Sequence, residues 1–241
     1  MTKKTILFLL TTLLSLSSFA ANNFSGQDKL KKKMKLKGDS LIIAIYGEKF
    51  FNTSVTWNKD GSYVYSGPEA GNWTDKLSAL PDKFLLRYDV KLDNTTYNSL
   101  IEFSLDAQGN FIPNKYEAIY GFEKVDDKIE KVFKLKTADA ITKVKELGLV
   151  ESSENPLKSF LKWENFKLDQ LYCGQFKFYI IQKTNSEKAP NSTEENYVIT
   201  NYFEVYSFSP WTGEFIEKKK MCQIVHKERY SGSSTGLKEC E

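Results

Sequence analysis

NYFEVYSFSPWTGEFIEKKKM, residues 201–221, reads as a strand, a turn through Pro210 and Gly213, and a second strand running back beside the first. The alternation of apolar and polar residues from Tyr197 to Phe208 has the period of two that puts one side of a strand on a core and the other in water. Pro-Trp-Thr-Gly between the two arms supplies a fixed φ and then a residue free to take a positive one. Tyr197–Phe208 and Glu214–Val225 are therefore expected to be antiparallel neighbours.

Moving toward the N-terminus, GQFKFYIIQK (174–183) and SFLKWENFK (159–167) read as two further strands, with a polar loop from Thr184 to Asn196. Before them TADAITKVKELG (137–148) sets Ala140, Ile141, Val144 and Leu147 on one stripe of a helix of about three turns. Thr137 is the expected cap at its start, and Gly148 fits the left-handed position past its end. The final stretch, 227–241, is rich enough in Ser and Gly to be expected as a loose tail.

The first half shows strand periodicity without so clear a helix. In FLLRYDVKLDNTTYNSLIEFSLD (84–106), Leu86, Tyr88, Val90 and Leu92 share one side, and Ser99, Ile101, Phe103 and Leu105 answer them on the return strand. SVTWNKDGSYVYSG (54–67) suggests a hairpin turning at Asp60-Gly61, followed by a loop from Ser66 to Asp82. SLIIAIYG (40–47) is a short apolar run read as a buried strand. Ahead of it lies a short Lys-rich helix containing Leu30 and Met34, with Gly38 as its expected end. Gly109-Asn110-Phe111-Ile112 nearly repeats Gly213-Glu214-Phe215-Ile216, each after an alternating strand and a turn, the second turn one residue longer. Two copies of one unit, or two β-meanders with common turn chemistry, both explain the match. Pro113 limits central pairing of the strand begun at Phe111.

The pattern from Val132 to Gln223 resembles the PepSY type: a helix ending in Gly-aliphatic, antiparallel strands, and a closing Phe203-Glu204-Val205, then Thr212, Gly213, Glu214 and Ile216. Pro210-Trp211 stands where an Asp-small pair is usual in that family. The resemblance implies an α+β fold in which a helix packs across a curved antiparallel sheet, as in cystatin-like folds. Possession of two related units is its stronger form. It also implies a role toward another protein, peptide or peptidase, inhibitory in some members, with no catalytic constellation.

Export is the expectation for the start of the chain. Lys3 and Lys4 precede an apolar run from Ile6 to Leu14, and Ser18-Phe19-Ala20 follows as a small-residue exit. The run falls short of the roughly twenty residues needed to span a bilayer. The organisation read from the chain is a signal peptide (1–20), a basic lead-in (21–40), a β-rich unit (41–125), a PepSY-like unit (126–226) and a tail (227–241). The destination is the periplasm or the exterior. Removing residues 1–20 takes two lysines from 34 basic residues and nothing from 31 acidic ones, leaving +1. A balance so close to neutral gives no overall attraction to nucleic acid.

Cys173, Cys222 and Cys240 meet oxidising conditions in an exported chain, and Cys222 with Cys240 is the expected pair, because Cys173 and Cys222 fall on strands of different height. Three free thiols are the alternative. Cys173, Cys222, Cys240 and His226 lack the close paired spacing of a structural zinc site, so no metal and no cofactor are expected. GSSTG (232–236) matches the nucleophile-elbow pattern around Ser234, yet the sole histidine precedes it and no helix follows. Asp126-Asp127 and Glu194-Glu195 are neighbours that point oppositely on a strand, so no catalytic residue is assigned. Five Asn residues (23, 52, 72, 94 and 191) open N-x-S/T triplets that a eukaryotic secretory route could glycosylate.

Two contact candidates remain. Trp211 sits in a tight turn, where its ring is either an exposed contact or folded over a sheet edge. Lys31, Lys32 and Lys33 belong to a run with Lys29, Lys35 and Lys37 that is either a solvated arm or a contact for an anionic surface. The leading expectation is an exported, non-catalytic binding protein. A hydrolase with an unrecognised acidic site and a structural envelope protein using the lysine arm are its rivals.

Overall fold

The computed structural model describes residues 3–112, 125–126, 128–151, 154–168, 171–193, 195–228 and 230–240, with side chains described from residue 25 onward except 98–100 and 165–173. Pro113, Asp127, Glu194 and the Cys173 side chain lie outside that description. Over the described residues the fold is α+β, with three helices and two antiparallel sheets. Two units divide the chain. One takes the sequence to Asp89 with the return strand from Leu100, and the other takes Val90–Ser99 with the C-terminal half.

In the first unit α1 (Lys3–Tyr46) runs without a break through the expected leader, the lysine run and the segment expected as a strand. Its buried positions are Gln27, Lys31, Met34, Gly38, Ile42 and Tyr46, three or four apart, which is one helical stripe. The strand expectation for 40–47 fails because a short apolar run fits a helix end as well as a strand, and here the stripe upstream continues through it. Gly38 does not end the helix. A Cβ there would fall 2.5 Å from Leu86 Cδ1 and 2.6 Å from the Tyr88 hydroxyl, so glycine lets helix and sheet approach. The helix stops instead at Gly47, whose φ of 86° is a positive value that glycine accepts readily. Gln27 is fully buried and fully used: Nε2 donates to the Leu77 carbonyl at 2.8 Å while Oε1 accepts the Leu77 N–H at 3.1 Å.

After α2 (Glu48–Ser54) come β1 (Val55–Trp57), β2 (Tyr63–Ser66), β3 (Glu69–Asn72), β4 (Lys83–Leu92), β5 (Thr95–Asp106) and β6 (Phe111–Ile112), in the sheet order β3-β2-β4-β5-β6. The hairpin expected through Asp60-Gly61 is not formed, since β1 and β2 both pair with β4. The loop assigned to 66–82 instead contains a true hairpin, β2 to β3, whose two-residue turn is Gly67-Pro68 with Gly67 at φ 56°. At the end of β4, Asp93 and Asn94 both have positive φ (51° and 64°), the two-residue turn whose twist suits adjoining strands.

The second unit runs α3 (Thr137–Glu146), β7 (Lys158–Leu168), β8 (Leu171–Lys188), β9 (Tyr197–Phe208) and β10 (Phe215–Glu228), with β11 (Ser231–Ser234) and β12 (Lys238–Glu239) both on β10. β9 and β10 are antiparallel neighbours from Phe208↔Phe215 to Val198↔His226. The loop expected from Thr184 begins later, because β8 continues to Lys188 as a polar ribbon against β9, held by Tyr202 donating to Glu187 at 3.0 Å. In the expected loose tail, Ser231–Ser234 and Lys238–Glu239 are strands paired with β10.

Helix α3 ends as expected: Gly148 has φ 93°, its N–H donates to the Lys145 carbonyl at 3.1 Å, and the Leu149 N–H donates to Val144 at 3.0 Å. It does not begin as expected. Thr137 Oγ1 has no partner, and the Thr137 N–H donates instead to Asp93 Oδ2 at 3.1 Å. A carboxylate from the β4–β5 turn thus does the capping, favoured by the positive end of the helix.

Both units place a helix ahead of an antiparallel sheet; β7-β8-β9-β10 are consecutive neighbours in one, while in the other β4-β5-β6 are and β3 intervenes on the far edge of β2. Their last turns close alike. The Asp106 N–H donates to the Asn110 carbonyl and the Gly109 N–H to Asp106, while the Ser209 N–H donates to Glu214 and the Gly213 N–H to Ser209. Leu105 then faces Phe111, as Phe208 faces Phe215.

Candidate functional site

Strand β8 is apolar on both sides over Phe176–Ile181, which requires both faces of its sheet to be at least partly covered. Phe176, Phe178 and Ile180 lie on the α3 side, where Gln182 donates to the carbonyl of Val150 at 2.7 Å, just beyond the helix. The opposite side carries Tyr179, Ile181 and Val205, with half-buried Phe160, Phe203 and Met221 packed on them. Phe160 and Tyr179 stack at 5.2 Å.

A recess of about 510 Å³ opens on this second face. Phe160 of β7, Ile181 of β8 and Phe203 of β9 form its apolar part, and Leu237 of the tail, Lys158, Lys183 and Glu154 also line it. Leu237 is brought there by the tail, which β12 pins through Cys222↔Lys238 and the disulfide pins through Cys222–Cys240, with an S–S distance of 1.97 Å.

Beside the recess the face turns polar. Lys177 Nζ lies 3.2 Å from Glu164 and 3.7 Å from Glu217. Burial works to raise the Glu164 carboxyl, but hydrogen bonding from Tyr179 and the charge of Lys177 outweigh it and hold Glu164 below the usual range. Burial first, and then the bond to Glu164, push the Tyr179 phenol far above its ordinary value. The trio Glu164, Lys177 and Tyr179 is thus a fixed set of paired charges with a phenol that stays protonated, suited to holding shape rather than moving protons.

The depressed Glu164 has a testable consequence for acid stability. Its contribution is present above about pH 4.5, the ordinary glutamate value, and is lost as pH falls through the lower folded value. Because the group is half in water, that contribution is screened to about 1 kcal/mol or less. Urea unfolding at pH 7 and at pH 3 should show Glu164→Gln losing less stability on acidification than the parent chain does.

The residues singled out in the sequence are scattered. Trp211 is buried at 3% exposure, its ring 4.5 Å from Phe133, so the indole belongs to the core and is not an exposed contact. Lys31 is likewise buried at 4% exposure, its Nζ donating to the Asp75 carbonyl at 2.5 Å. Burial, then the nearby charge of Lys76, hold its ammonium below the usual lysine range. Lys32 and Lys33 stay on the exposed side of α1. Ser234 ends a short strand opposite Val225 and is exposed, and His226 is exposed opposite Ser233, so the GSSTG segment lies flat along β10 with no strand-to-helix turn. Among the described residues no group of His, Cys, Asp and Glu is placed to hold a metal ion. Among the same residues no helix is long and apolar enough to cross a membrane.

Phe160, Ile181 and Phe203 were not singled out from sequence. A signal for this face was present in FKFYII (176–181), where a strand apolar at every position but Lys177 announces a second covered face. No family model, curated protein or solved structure matches this chain.

Proposed function

We propose that this chain is an exported, non-catalytic binding protein, PepSY-like in its C-terminal unit, that holds an apolar peptide segment of a partner protein such as a peptidase or another envelope component. The observation that carries the reading is the recess between Phe160 and Phe203 on the sheet face away from α3. Concave apolar sites with a few charges at the rim are the usual form of small binding sites. The helix-then-meander order of β7–β10 supports the kinship, and the paired state of Glu164, Lys177 and Tyr179 favours binding over turnover.

Anisotropy titration of fluorescent apolar and charged decapeptides tests this. Apolar peptides should bind the parent chain, and Phe203→Ser should weaken them about tenfold, the scale of losing one large apolar contact. Phe160→Ser provides a second variant on a different strand, and circular dichroism reports whether each has folded. Absence of binding by any apolar peptide, equal binding by both folded variants, or cleavage of the peptides would overturn the reading.

A further inference from the structure

A second recess, of about 500 Å³, lies in the first unit between α1 and the loops around β1 and β3. Two indoles line it, Trp57 and Trp73, set edge-to-face at 5.4 Å. Trp73 is buried, and Trp57 is half-buried. The Trp57 Nε1–H is already donated to Ser62 Oγ at 3.2 Å, which fixes the ring. Four lysines surround it. Lys31 is occupied by the Asp75 carbonyl, and Lys35 is held by Asp39 at 2.5 Å with its Nζ 5.5 Å from the Trp57 ring centre. Lys32 and Lys59 have no hydrogen-bond or ion-pair partner among the described residues. Asp28, the one acid among the described lining residues, is paired with Lys76.

A flat apolar platform beside two unpaired ammonium groups suits a ligand that combines a ring with negative charge. We propose that this recess binds an acidic saccharide, one sugar ring lying on Trp57 and its carboxylate, sulfate or phosphate facing Lys32 and Lys59. The C–H face of a pyranose packs on an indole as other apolar surfaces do, and the acid supplies charge-assisted hydrogen bonds. Single-stranded nucleic acid fits less well, because it is read by successive stacking platforms and here the second indole, Trp73, is buried. A bilayer would engage the outer lysines Lys29, Lys33 and Lys37 without needing the recess. The inference does not depend on the apolar groove of the other unit.

Tryptophan fluorescence and calorimetric titration with a sulfated oligosaccharide, an oligogalacturonate and a neutral maltooligosaccharide test the assignment on the full chain. The acidic sugars should bind with an affinity that falls as salt is raised. Lys32→Ala with Lys59→Ala should weaken them about tenfold, and Trp57→Leu roughly fivefold. Lys29→Ala with Lys33→Ala should change affinity less than twofold, since these lysines stand outside the recess. Near-ultraviolet circular dichroism separates a misfolded Trp57→Leu from a folded one, and Trp57→Phe, which keeps an aromatic platform, should retain binding. Equal binding of the neutral sugar, indifference to Trp57→Leu, or tighter binding of oligothymidylate or of phosphatidylglycerol vesicles would overturn the proposal. Unchanged sugar binding in Phe203→Ser would keep the two sites distinct.

Discussion

Trp211→Ala is expected to destabilise the C-terminal unit by about 3–5 kcal/mol, the usual cost of removing a large buried aromatic side chain. The indole fills the space under the β9–β10 turn, 4.5 Å from Phe133 and 6.4 Å from Phe176, and Phe176 in turn meets Trp163 at 4.9 Å. The turn is anchored as well as filled, because the Pro210 carbonyl accepts N–H donors from both Lys134 and Leu135 just before α3. Deleting the ring therefore empties the junction where the turn, the lead into the helix and two strands meet. For a chain of this length the loss corresponds to a fall in Tm of about 10 °C or more. Trp211→Phe should recover part of it. A Trp211→Ala protein that melts within about 2 °C of the parent would return the indole to the surface and revive its reading as a contact residue.

That Trp211 was readable in two ways shows where the sequence stops being informative. Strand alternation is a local signal, so the β4–β5 faces and the β9–β10 pairing followed from it, and so did the Gly148 helix end, which needs only one residue of the right kind. Three features depend on partners far along the chain. The cap of α3 is Asp93, 44 residues upstream, so Thr137 offered a local answer to a question settled elsewhere. The tail is expected to be loose from its composition, yet Cys240 and the pairing of Lys238 with Cys222 hold it to β10. Burial of Lys31 came from the carbonyl of Asp75, which no charge count reveals. The sites show the same division: the apolar groove had a trace in FKFYII, whereas the lysine recess required Trp57 and Trp73 to be brought under a helix that begins in the expected leader.

Gly38 gives the sharpest contrast between a local reading and the packed one, and Gly38→Leu is expected to cost about 3 kcal/mol through overpacking. Helix propensity alone argues the other way, since replacing an interior helical glycine by leucine should gain about 0.5–1 kcal/mol. The steric term decides. The Leu86 methyl group 2.5 Å from the new Cβ can swing aside, but the Tyr88 hydroxyl at 2.6 Å is donated to Asp39 Oδ1 at 3.0 Å, and its ring stacks on Phe103 at 6.1 Å. Moving Tyr88 would break that bond and disturb an aromatic pair in the core of the sheet. Gly38→Ala asks for less room and should cost less than the leucine, so the two variants form a series in side-chain volume. Denaturant unfolding of both measures it. Stabilisation by alanine and leucine alike would mean that α1 stands clear of the sheet at this point, and the buried stripe from Gln27 to Tyr46 would need another account.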